Sequence, residues 1–353
     1  MSKDNASFKK KVDVISKNNP VPDFDFEETF RLIKVDDEHY IGAHPLKLPI
    51  NGARGVYGGH IVAQSLYAAM ESSDKTLYRP YAFHSYFLRP GNHKHPMEFK
   101  VLKLDDTSDP DIIYRDIMVS QNGKTKLSCR VSLIKKNCSF KPPKEQEKED
   151  KEIGIKETES PFSNEKIDLD FYKVNHTTFI SNAYLDEFLD YTKCPEELQL
   201  DPSERSITVY SKIKQDTPIK DPNINFLGLA DLSDSAFLTT LARVLHVPWN
   251  LTEGTEEPDQ NKSALEQLLT QLFNVLHIFH YNAMSMDHHI YFHADCDQLD
   301  VFSSWHKFKY HYKRLSNNRA LVQGGFFDNK GNCMATVIQE GLVYMVPEMA
   351  LRL

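Results

Sequence analysis

Residues 54–69 read R-G-V-Y-G-G-H-I-V-A-Q-S-L-Y-A-A, and residues 84–91 read H-S-Y-F-L-R-P-G. The reading of these two stretches decides the fold. Gly58-Gly59 stands just before a run in which Val62, Leu66, Ala69 and Met70 share one helical face. The spacing predicts a helix over roughly 59–72. A helix that opens on two glycines lets another group come close to its free N–H donors. After a short polar break, Tyr81 to Leu88 form an aromatic strand, and Arg89-Pro90-Gly91 stops it.

Working outward, further strands are expected near 97–104, 112–120 and 125–134. Asn122-Gly123 joins the last two as a tight hairpin. In the final strand Leu127, Cys129, Val131 and Leu133 alternate with Lys126, Ser128, Arg130 and Ser132, one buried face against one wet face. The first folded unit is therefore placed at 26–136, behind a polar lead-in at 1–25. Residues 137–164 carry Pro142-Pro143 and a dense run of charge of both signs. Such a stretch buries too little apolar surface to offset its ordering entropy, so it reads as a flexible linker.

A second unit is placed at 165–346. A strand is expected near 205–213. A helix is expected to begin around Ser233 or Asp234, with Phe237, Leu241 and Leu245 on one face. Residues 246–262, rich in Pro, Gly and acid, read as an inserted loop. A second helical stretch follows at about 263–277. Strands are expected near 285–293, 302–313, 319–327 and 333–345, with a turn at Asp328-Asn329-Lys330-Gly331. Helix then four strands is thus written twice, about 200 residues apart, which is domain duplication. His84 to Arg89 lines up with His288 to His293 across the repeat.

The whole chain narrows the function. It has 353 residues, 40% of them hydrophobic and 26% charged, which suits about two globular domains. A formal net charge of −8 argues against nucleic acid as the main partner. No stretch approaches a membrane span, and the N-terminus has no apolar signal core. The five cysteines are scattered and form no C-x-x-C pair, so they read as reduced thiols. His280, His288, His289 and His293 cluster with Asp287, but without metal-site spacing; no metal and no cofactor are expected.

V-Y-G-G-H at 56–60, H-S-Y-F-L-R-P-G, S-D-S-A-F-L at 233–238, D-H-H-I-Y-F-H at 287–293 and V-I-Q-E-G at 337–341 occur in order. Together they resemble the type II acyl-CoA thioesterases, over roughly 26–136 and 205–345. The resemblance implies an α+β double hotdog, two tandem units each with a long helix wrapped by a curved antiparallel sheet. It implies hydrolysis of fatty acyl-CoA by direct attack of an activated water, without a covalent acyl-enzyme. The family's Asp, Thr/Ser and Gln set falls on Asp234, Ser285 and Gln339, serine standing where threonine is usual.

Each residue also has a plainer reading. Asp234 before an apolar run is a good helix N-cap. Gln339 could be an ordinary strand residue, though its apolar neighbours favour burial with a partner. On a regular strand Asp287 shares a face with Ser285 while His288 points to the other. No G-x-S-x-G elbow supports a serine nucleophile. Tyr57, Gly58, Gly59, His60, His84 and Arg89 read as packing or surface residues. Leu351-Arg352-Leu353 resembles a peroxisomal address in its last two places, and eukaryotic members of the family commonly act in peroxisomes. The resemblance thus implies a peroxisomal enzyme (alternatively cytosolic), a homo-oligomer, with acyl-CoA and an import receptor as partners. The rival readings are a hotdog enoyl-CoA hydratase, a non-catalytic acyl-CoA binding protein and a ligand-free scaffold.

Overall fold

The structure is a computed structural model. It describes residues 25–49, 53–104, 106, 111–136, 138, 172–176, 180–185, 188, 194–215, 217–235, 237–246 and 281–345. The expected lead-in, nearly all of the linker, the loop beyond residue 246, the helix at 263–277 and the C-terminal address lie outside the described residues.

The elements in chain order are α1 (Phe26–Phe30), β1 (Leu32–Lys34), β2 (His39–Gly42), α2 (Gly58–Glu71), β3 (Tyr78–Phe87), β4 (Glu98–Leu104), β5 (Ile112–Gln121), β6 (Lys124–Lys135), β7 (Tyr172–His176), β8 (Ile180–Leu185), β9 (Ser206–Ile213), α3 (Ile224–Leu232), α4 (Leu241–Val244), β10 (Tyr281–Ser285), β11 (Asp287–Phe292), β12 (His306–Ser316), β13 (Arg319–Phe327) and β14 (Cys333–Met345). Among the described residues all fourteen strands join one antiparallel sheet. Its order is β1-β2-β4-β5-β6-β3-β11-β14-β13-β12-β9-β8-β7, with β10 also on β14.

The order repeats. From the centre outward, one half runs β3-β6-β5-β4-β2 and the other β11-β14-β13-β12-β9. In both, the first strand after the helices pairs with the last. The two segments that matched across the sequence repeat are β3 and β11. They pair with each other at the centre of the sheet, His84 opposite His289 and Ser85 opposite His288.

Turn chemistry closes the hairpins. Asn122 and Gly123 both adopt positive φ (50° and 71°), as a two-residue turn on right-twisted strands requires. Asn317-Asn318 do the same between β12 and β13, at 54° and 58°.

One sheet face carries the helices. α2 packs on β3 to β6 and lies against α3, and α3 packs on β9. Val62, Leu66, Ala69 and Met70 are buried as the periodicity predicts. Ile61, Ala63 and Ala68 are buried too, because α2 has neighbours on both sides. Burying each large side chain of this layer contributes roughly 1.5–3 kcal/mol.

The helix expected from Ser233 onward is corrected. The helix that packs on α2 is α3, which ends at Leu232, one residue before Ser233. Eight of its nine residues are buried. A helix apolar on every side shows no period, so its pattern is silent. Phe237, Leu241 and Leu245 belong instead to a short 3-10 turn at Leu238–Thr240, to α4 and to their flanks.

Candidate active site

Ser285 ends β10 and Asp287 begins β11, and both strands pair with β14. Ser285 lies opposite Gly341 but His289 lies opposite Ile338, so the β10–β11 side carries one extra residue around Met286. This is a β-bulge, and it reverses the phase of side-chain alternation. Ser285 and His288 therefore point to the same, inner side. Asp287 points outward, where its Oδ1 accepts the Glu340 N–H at 2.7 Å. The expected pairing of Asp287 with Ser285 on one face is thus overturned by the bulge.

Opposite the bulge, Gln339 on β14 is 1% exposed, while neighbouring Glu340 faces out and pairs with Arg319. Gln339 Nε2 donates to Ser285 Oγ at 2.6 Å. His288 Nδ1 lies 2.7 Å from Gln339 Oε1, and His288 Nε2 lies 2.7 Å from Ser233 Oγ. His288 is fully buried, which pushes its pKa down to about 4. The ring is neutral in the physiological range.

Asp234 comes from the chain just past α3, and Ser285 Oγ donates to its Oδ1 across 3.4 Å. Asp234 does not cap a helix of its own, as the sequence suggested. It faces the first turn of α2, where the Gly59 N–H bonds to it. A Cβ on Gly58 would stand 2.5 Å from Asp234 Oδ2. The Gly pair thus makes room for a carboxylate from the other half of the sheet. α2 has no acidic residue in its first turn and no side-chain cap. Asp234 supplies the negative charge that end of the helix favours. Burial pushes its carboxyl from 3.8 up to about 7, against hydrogen bonds from Gln339, Gly59 and Ser285 that favour the ionised form. The nearby Asp231 charge pushes the same way as burial. Asp234 keeps partial exposure.

Behind this group sits a second pair. His60 Nδ1 and Asp231 Oδ1 are 2.6 Å apart and both residues are fully buried. Burial raises the Asp231 pKa and His60 opposes it. The Tyr57 hydroxyl donates to the Asp231 carbonyl oxygen at 2.8 Å. These contacts tie the start of α2 to the end of α3. The sequence by itself reads His60 as a packing or surface residue and does not single out Asp231. The signal it lacked was the partner, 171 residues away in the chain.

His84, His289 and His293 face the outer side of the sheet, and His280 lies outside the described residues. His84 Nδ1 and His289 Nδ1 are 3.0 Å apart across the β3–β11 pairing. Arg89 donates to the Thr125 carbonyl. Among the described residues no group of three or more His, Cys, Asp or Glu side chains is placed to hold a metal ion.

Comparison with known proteins sets this geometry in a family. The acyl-CoA thioesterase N-terminal domain matches residues 46–134, and the acyl-CoA thioesterase C-terminal domain matches residues 175–343. Together they cover more than half of the chain. The peroxisomal acyl-coenzyme A thioester hydrolase 1 of Saccharomyces cerevisiae is 24% identical over 92% of this chain and 96% of its own. An acyl-CoA thioesterase II from Mycobacterium marinum aligns with TM-score 0.56 at 20% identity, over 91% of this chain and 97% of that one. A hot-dog-fold protein from Alicyclobacillus acidocaldarius aligns with TM-score 0.59 at 13% identity, over 91% and 98%. The fold is a hotdog fold, and the chain belongs to the type II acyl-CoA thioesterase family.

Proposed function

We propose that the protein hydrolyses fatty acyl-CoA to a free fatty acid and CoA, by direct attack of a water activated at Asp234. The single observation that carries this reading is the meeting of Asp234, Ser285 and Gln339 at the first turn of α2. A carboxylate with a pKa near 7 is well matched to taking a proton from water at neutral pH. The water oxygen attacks the thioester carbon and Asp234 takes its proton. The C–S bond then breaks, and the proton passes from Asp234 to the leaving sulfur. Ser285 and Gln339 hold the carboxylate and the water in line. N–H donors at the start of α2 stabilise the charge that develops on the thioester oxygen.

Hydration of an enoyl-CoA would need an imidazole beside Asp234. His288 is instead committed to Gln339 and Ser233.

The finer architecture belongs to the same proposal: two hotdog units, 26–136 and 165–346, joined by 137–164, their sheets fused at β3–β11. The repeated strand order supports it. Assembly into a homo-oligomer is part of it, supported by Tyr86, Tyr114, Met118 and Tyr291, which are exposed on the outer face of the sheet; light scattering checks this. A peroxisomal location with Leu351-Arg352-Leu353 as the address is also proposed, supported by the yeast relative's name. Deleting the three residues from a fluorescent fusion should abolish peroxisomal targeting.

The decisive test is thiol release across an acyl-CoA length series. Wild type should release CoA, while D234A and Q339A should lose release with folding intact. Near-wild-type rates in both variants sink the assignment.

A further inference from the structure

We propose that His288 and Ser233 are positioning residues that set which way the Gln339 carboxamide faces, and thereby whether Ser285 and Gln339 donate toward Asp234. The inference rests on the reading of Asp234, Ser285 and Gln339 as the water-activating set, and adds the groups that give that set its direction.

The argument is one of hydrogen-bond polarity. An ionised carboxylate only accepts, so Ser285 must donate its proton to Asp234. The Ser285 oxygen then accepts from Gln339 Nε2 at 2.6 Å. That turns the Gln339 carbonyl toward His288, whose Nδ1 must carry a hydrogen to serve it at 2.7 Å. A neutral imidazole has one N–H, so Nε2 is left as an acceptor. Ser233 Oγ, 2.7 Å away, is the donor it needs. The chain of four bonds runs one way, from Ser233 to Asp234.

The opposite polarity is also available. Ser233 Oγ lies 2.7 Å from the Ala230 carbonyl oxygen as well. If its proton turns there, His288 must carry its hydrogen on Nε2. Nδ1 becomes an acceptor, the Gln339 amide turns over, and its carbonyl faces Ser285. The Ser285 proton is then drawn to Gln339 and leaves Asp234. A buried imidazole with two fixed neighbours is what selects between these arrangements.

The bulge at Met286 makes this possible, because it puts His288 on the same side as Ser285. It also explains why His288 looked irrelevant on a regular strand. His288 is a positioning residue because its ring contacts Gln339 and Ser233; the hydrogen bonds recorded at Asp234 come from Ser285, Gln339 and Gly59.

The test compares H288L, which cannot donate, with H288N, whose amide nitrogen can stand in for Nδ1, in full-length protein. H288L should lose about 10- to 100-fold in kcat, the scale of one hydrogen bond to a charged group, with KM nearly unchanged. H288N should recover most of the loss. The acid limb of the rate profile should move up in H288L and not in H288N, because Asp234 loses donors only in the first. The groups facing Asp234 are Tyr57 just before α2, Gly59 on α2, Asp231 on α3, Ser285 from β10 and Gln339 from β14. Of these only Tyr57 and Asp231 titrate, and neither variant alters them.

In wild-type protein, 15N spectra of labelled histidine should show the His288 proton on Nδ1. A proton on Nε2 overturns the proposal, even if H288L fails to fold. So does H288L turning over at the wild-type rate while D234N is inactive. Full CoA release by D234N would instead overturn the water-activating set itself, so the two failures are distinguishable.

Discussion

α2 and α3 reach the same point from opposite directions and bring different things to it. α2 arrives with its N-terminus: two glycines, no side-chain cap and no acidic residue in its first turn. α3 arrives with its C-terminus and the residues just beyond it: Asp231, Ser233 and Asp234. Neither end is complete alone. A helix N-terminus favours negative charge, and the carboxylate that meets it comes from a segment about 175 residues further on. The first half of the sheet therefore supplies space and donors, and the second half supplies acid, hydroxyl and amide. The two glycines, adjacent in sequence, also differ. Gly58 faces the tip of a side chain, Asp234 Oδ2, while Gly59 faces the backbone oxygen of Asp231 and the Tyr57 ring.

That contrast can be broken experimentally. The largest effect is expected for G58A. The new methyl displaces the Asp234 carboxylate, so kcat should fall about 100-fold, the cost of an ångström-scale misplacement. The melting temperature should barely change, since a side-chain tip can move aside. G59A should show the reverse. Its methyl meets backbone that cannot give, so unfolding free energy should drop by about 2 kcal/mol in urea titrations, whatever happens to rate. If both variants behave alike, the division of labour between the glycines is wrong.

A smaller effect sharpens the view of Asp234. With its pKa raised from 3.8 to about 7, the ionised fraction and hence the rate should drop about tenfold between pH 8 and pH 6. Stability runs the other way. Between these pKa values the folded state holds a proton that the unfolded chain has released. Stability contributed by this group therefore falls as pH rises from about 4 to 7. Replacing Asp234 by Asn should remove both trends, so D234N should gain stability relative to wild type at pH 8 and not at pH 4. The smallest effect is expected for Y57F, which deletes the donor to the Asp231 carbonyl. About 1 kcal/mol of stability should be lost, with the acid limb unmoved.

Much of the fold was legible. The strands expected near 97–104, 125–134, 319–327 and 333–345 lie at 98–104, 124–135, 319–327 and 333–345. Alternation and turn residues specify such strands locally. β1 and β2 escaped because strands of three and four residues carry too few positions for a period. α3 escaped because burial on all sides erases amphipathicity. Gln339 was legible as a buried polar residue, since its neighbours are apolar. His288 was not, because one extra residue at Met286 inverts the alternation from which its direction was read.

By itself the sequence determined the repeated strand plan and the hairpin turns, and its ordered motifs, by their resemblance to a family, singled out Asp234, Ser285 and Gln339. These follow from local rules: period, turn geometry and motif order. Only the tertiary structure decided that the Gly58-Gly59 start of α2 faces Asp234, that His60 and Asp231 clasp the two helices, and that a bulge turns His288 onto Gln339. Each of these joins residues at least 50 apart in the chain. They depend on how two helices pack and on the register of one strand pair, and no local pattern encodes either.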